Sequence, residues 1–174
     1  MTARTIFHAS DLHFGAEDRV ALDWFAHCVA DEQPDAAIIT GDLTMRARHR
    51  EFAAAAAWLS ALPVPVTVEI GNHDMPYFNP IERFATPYRR YLGMEAMVET
   101  PIALPGIVII PLRTTAPAQW RLNWSKGIVT PQALAETMAH ITATKQAAEQ
   151  AGGPAPLLLI SAHHPLVETG TRGT

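Results

Sequence analysis

"PVTVEIGNHD", residues 65–74, decides how the chain is read. Its first half is rich in β-branched residues (Val66, Thr67, Val68 and Ile70) and reads as a short strand over 65–70. Its second half sets Gly71, Asn72, His73 and Asp74 in a row, directly after the apolar run. A strand that ends in an amide, an imidazole and a carboxylate points to a site at that end.

Working outward, the same sequence of elements repeats. "RTIFHAS" (4–10) reads as a strand, and "EDRVALDWFAHCVADEQ" (17–33) as a helix with Val20, Ala21, Trp24, Phe25 and Cys28 at helical spacing. "DAAIIT" (35–40) reads as a second strand and "RARHREFAAAAAWLSAL" (46–62) as a second helix. Pro34 stops the first helix, and Pro63 and Pro65 close the second. Strand–helix–strand units of this kind predict a parallel sheet covered on both faces. Farther on, 79–93 reads as a helical excursion and 96–112 as two strands about a Pro105-Gly106 turn. Residues 113–127 read as loop, 130–150 as a helix capped by Thr130, and 155–165 as a last strand running into His163 and His164.

Composition sets the bounds. With 174 residues, 48% hydrophobic and 17% charged, the chain reads as a single globular domain over 1–174 of the α/β class. A net charge of −4 gives no electrostatic reason to expect a nucleic-acid partner. No apolar run approaches the roughly 18 residues of a membrane span, and no leader is legible at 1–10, so the expected location is the cytoplasm. Cys28 is the one cysteine and reads as a small buried residue.

The polar residues gather where strands end. Ser10, Asp11 and His13 follow the first strand, Gly41 and Asp42 the second, Gly71 to Asp74 the third, and His163 and His164 the last. In an open parallel sheet the carboxyl ends of the strands form one rim, where ligands bind. Asp11 and His13 are two apart, and on extended chain would point the same way. Carboxylate, imidazole and amide oxygens together suit a divalent transition ion such as Mn²⁺, Fe²⁺ or Zn²⁺. Asp42 has two oxygens and can bridge two ions. Gly41 and Gly71 allow tight turns. His8 reads as structural, and His27, His49 and His140 fall on helices.

Taken in order, "DLH" (11–13), "GDLT" (41–44), "GNHD" (71–74) and "HHP" (163–165) resemble the motifs of the calcineurin-like metallophosphoesterases. "NWSKG" (123–127) sits where bacterial members often carry a similar run. The resemblance implies a four-layer α/β/β/α sandwich with two divalent metal ions at the strand ends. Asp11 and His13 would bind the first, Asp42 would bridge both, and Asn72 and His163 would bind the second, with His164 supporting. Asn72 would also help hold substrate phosphate. The implied reaction is attack of metal-generated hydroxide on a small phosphoester. His73 would protonate the leaving group and Asp74 would orient His73. A phosphodiester is expected, with the cyclic-nucleotide phosphodiesterase branch the nearest pattern; Arg113, Trp120 and Trp124 would border the substrate.

The family's later Gly-His-x-His segment is absent from the sequence. The expectation is therefore a C-terminally incomplete domain. A non-catalytic scaffold of the same fold is the alternative, and a homo-oligomer stays open.

Overall fold

The computed structural model describes residues 3–100, 102, 104–118 and 126–166. Three parallel strands form the first sheet: β1 (Ile6–Ala9), β2 (Ala36–Thr40) and β3 (Val66–Glu69), in the order β1-β2-β3. Ile6 pairs with Ala36, and Ala37 with Val66. The crossovers are α1 (Arg19–Glu32) and α2 (His49–Ser60). Asp18 caps α1 by accepting from the Ala21 N–H, and Gln33 ends it in the left-handed conformation just before Pro34. Glu51 reaches back from α2 to the N–H groups of Arg46 and Arg48, satisfying orphan donors at the helix start.

All five residues of β2 are buried, as expected for the central strand of a covered sheet. The buried stripe of α1 is Leu22 and Val29, with Phe25 and Ala26 beside them. Val20 and Trp24, which the spacing assigned to that stripe, are exposed instead. Positions 22, 25, 26 and 29 form the better helical face, and Cys28 at its margin is half-buried. His8 ties β1 to β2 through a 2.7 Å contact with Thr40 Oγ1, the structural role expected of it.

The middle of the chain departs from expectation. Where one helix and a strand were read, two helices form: α3 (Pro80–Ala85) and α4 (Arg89–Val98). Asn79 caps α3, and Pro87 disfavours helical backbone at Thr86, which separates the pair. Tyr91, Met94 and Val98 are the buried residues of α4. Their spacing is helical, so 96–98 close a helix rather than open a strand. The Tyr91 hydroxyl donates to the Val68 carbonyl at 2.8 Å, fastening α4 to β3.

β4 (Ile107–Pro111) and β5 (Leu157–Ser161) pair in parallel as a second sheet, connected by α5 (Pro131–Gln150). Thr130 caps α5, as its sequence predicts. β5 is the less covered strand: Leu157 and Ile160 are both exposed. The expectation that both faces of every strand are covered therefore holds for β2 and not for β5. Among the described residues no helix is long and apolar enough to cross a membrane.

Candidate metal centre

The loops leaving β1 and β2 run side by side. Asp11 N donates to Gly41 O, His13 N to Asp42 O, and Phe14 N to Leu43 O. Between them Leu12, Phe14 and Leu43 sink into the core. Asp11, His13 and Asp42 stay at the rim, each with one ligand atom within 4.8 Å of the others. The reason differs from the sequence argument. Asp11, His13 and Asp42 have φ of 59°, 48° and 51°, so none is extended. Three non-glycine residues in the left-handed region are costly, and such backbone collects at functional sites. The turned backbone brings His13 Nε2 to 3.6 Å from Asp11 Oδ1 and 3.9 Å from Asp42 Oδ2.

Two glycines make room. At Gly41, with φ of 76°, a Cβ would stand 2.5 Å from His163 Cγ. At Gly71 it would stand 2.1 Å from the Asp42 backbone nitrogen and Oδ1. Close approach, rather than an unusual dihedral, fixes glycine at 71.

The other side of Asp42 belongs to the later motifs. His163 Nε2 lies 3.4 Å from Asp42 Oδ1 and 3.3 Å from Asn72 Oδ1. His163 Nδ1 donates to the Thr40 carbonyl at 2.8 Å. That bond places the ring proton on Nδ1 in the neutral form and leaves the Nε2 lone pair facing two oxygens. Burial works to raise the Asp42 carboxyl, but His163 and the His73 backbone N–H outweigh it and hold it below the usual value. Burial likewise works to lower His163, and Asp42 outweighs it and raises the imidazole above its usual value. The buried His13 Nδ1 has no hydrogen-bond partner among the described residues. Carboxylates, imidazole lone pairs and an amide oxygen crowd together with too few protons to separate them. This donor set fits a divalent cation.

His164 also reaches Asn72. Its Nδ1 lies 2.8 Å from Thr114 Oγ1 and its Nε2 3.0 Å from Asn72 Oδ1. A Cβ at Gly127 would stand 2.3 Å from His164 Cγ, so Gly127 packs against this ring. Thr114 follows β4 and was read only as loop. Its one legible signal was its place after a strand, at the rim where the other polar residues gather.

His73 and Asp74 part company. The His73 ring meets that of His13 edge to face, centroids 4.9 Å apart, and its Nδ1 donates to the Met45 carbonyl at 2.8 Å. Asp74 is fully buried and points away. Its Oδ1 accepts from the Thr44 N–H and hydroxyl, its Oδ2 from the N–H groups of Leu43 and Gly71. Burial still raises its carboxyl, to about 6, against those donors. The carboxylate expected to orient His73 therefore braces the two loops, and a backbone carbonyl orients the imidazole. Arg113 also turns elsewhere, to Glu136 at 3.1 Å and over the Tyr88 ring at 4.8 Å. Trp120, Trp124 and most of "NWSKG" lie outside the described residues.

Residues 4–173 match a family model described as calcineurin-like phosphoesterase. No match to a curated protein was found.

Proposed function

Because the chain belongs to the calcineurin-like phosphoesterase family, we propose that it hydrolyses a phosphodiester with the help of two divalent cations, cyclic nucleotides being one candidate class. The observation that carries this reading is the division of labour at Asp42. Its Oδ2 faces His13 and its Oδ1 faces His163. Asp11 and His13 would hold one cation, Asn72 and His163 the other, and Asp42 would stand between them. When bound, such ions neutralise phosphoryl charge and make water nucleophilic near neutral pH. The two parallel sheets would form the middle layers of a four-layer sandwich, with this rim along one edge.

The protein's own groups do the rest. The Asn72 amide nitrogen is the donor on hand for a phosphoryl oxygen, since Oδ1 is turned to the histidines. His73 keeps a proton on Nδ1 for Met45, so the form that acts as an acid is the doubly protonated ring, delivering its Nε2 proton to the departing oxygen. Asp74 holds Gly71, Leu43 and Thr44 in register, which keeps Asn72 and His73 at the rim.

The test is Mn²⁺-dependent hydrolysis of a chromogenic phosphodiester. Asp42→Asn is expected to lose metal and activity together. His73→Ala is expected to keep the metal and to lose about 10²- to 10⁴-fold in rate on an alkyl diester, whose leaving oxygen needs a proton, with a much smaller loss on the chromogenic ester. Full activity in both variants overturns the assignment.

A further inference from the structure

The chain changes character just after His73. Met75 is buried, but Tyr77 and Phe78 are 70% and 67% exposed, and Ile81 and Phe84 follow them at the surface. Four large apolar side chains over so short a stretch are more than scattered surface residues require. Tyr77 and Phe78 meet edge to face, centroids 5.5 Å apart. The Arg46 guanidinium lies over the Phe78 ring, 5.9 Å from its centroid. Arg46 is exposed, and the Phe78 ring is the contact its guanidinium makes among the described residues. It directly follows Met45, whose carbonyl holds the His73 ring. An aromatic pair and the guanidinium lying over one of its rings thus adjoin the segments that carry His73 and the Met45 carbonyl that holds it.

The geometry points to a subsite for a flat ring, formed by Phe78, Tyr77 and Arg46, which takes the nucleoside portion of the substrate. This inference rests on the reading of His73 as the acid. The group that His73 protonates is the leaving alcohol, so whatever that alcohol carries lies on this side. Aromatic faces stack on any base, and a guanidinium adds attraction to an electron-rich ring. Glycerol or a short alkyl alcohol offers neither face nor ring and gains nothing here. Of the small phosphodiesters, nucleoside esters fit this surface best.

The experiment titrates adenosine, and separately ribose, into the Mn²⁺-loaded protein by calorimetry, with Phe78→Ala and Phe78→Trp beside the native chain. Phe78 is exposed, so both variants should fold, and thermal melting checks this. Adenosine is expected to bind saturably and ribose not to. Phe78→Ala should weaken adenosine by about 5- to 150-fold, the span of base–ring stacking, while Phe78→Trp retains it. Equal binding of adenosine and ribose, no saturable adenosine binding, or a Phe78→Ala effect below about twofold overturns the subsite. A protein that binds adenosine through Phe78 yet hydrolyses no phosphoester would sink the proposed reaction and leave the subsite standing. Hydrolysis without this binding would do the reverse.

Discussion

The Nε2 of His163 lies 3.3 Å from Oδ1 of Asn72, and in the neutral side chains neither atom carries a proton. Two lone pairs at that separation repel, and Asp42 Oδ1 at 3.4 Å from the same nitrogen adds a third. Something positive relieves the contact. Below the raised pKa of His163 a proton does so, and the stability from its pairing with Asp42 is lost as pH climbs through that value. A divalent cation takes over above it. The upward shift in Tm on adding Mn²⁺ is therefore expected to grow as pH rises from below 6.5, the ordinary histidine value. At a concentration about 100 times Kd the stabilisation should be about 2.7 kcal/mol. Scanning calorimetry checks this, and a pH-independent shift, or one that His163→Ala retains, contradicts it.

The role of His73 can be separated from general damage by changing the alcohol that departs. A nitrophenolate leaves without a proton, whereas an alkoxide needs one. His73→Ala should therefore cost far more on an alkyl diester than on a nitrophenyl diester, by about tenfold or more. Steady-state rates on the two esters decide it. A defect of equal size on both would mean that the ring holds substrate or structure rather than supplying a proton.

Much of this site was legible because the strand ends of the first parallel sheet share one rim, so for Asp11, His13, Asp42 and Asn72 order along the chain translated into nearness in space, while His163 comes to it from the end of β5 in the second sheet. Asp11, His13, Asp42, Asn72 and His163 all arrived there. What sequence could not supply was direction. Asp74 sits next to His73, but the turn sends its carboxylate inward to amide groups that every sequence carries and none advertises. The left-handed backbone at Asp11, His13 and Asp42 was hidden for a similar reason, since only glycine announces such a conformation. The last turn of α4 escaped the sequence reading because Pro101, Pro105 and the β-branched run after them drew the strand back to residue 96, across Val98.

Asp74→Asn tests that inward role. The amide keeps the shape but offers one acceptor oxygen where four donors converge, and its NH₂ group must face at least one N–H. The expected loss is about 2–4 kcal/mol in urea melts. His73→Ala forfeits one hydrogen bond, to Met45, and the edge-to-face contact with His13, so it should cost less stability and more rate. If Asp74→Asn instead leaves stability intact and mimics the kinetic defect of His73→Ala, the carboxylate acts on the imidazole after all.

Glu69 gives the fold a pH dependence of its own. It ends β3 with 7% of its surface exposed, against a cavity of about 250 Å³ lined by Tyr91, Glu95, Arg113, Glu136 and His140 among others. Burial, with the charges of Glu99 and Glu95 adding to it, pushes its carboxyl up to about 8 from an ordinary 4.5. The folded chain then binds more protons than the unfolded chain between those values, so the group's contribution to stability falls as pH rises across the window. The slope should approach about 1.4 kcal/mol per pH unit. Glu69→Gln keeps the shape and cannot ionise. Its urea-melting profile should therefore be flatter, near native at the acid end and more stable than native by a few kcal/mol at the alkaline end. A variant whose stability falls with pH as steeply as the native protein's would show that the proton is held elsewhere in this cavity.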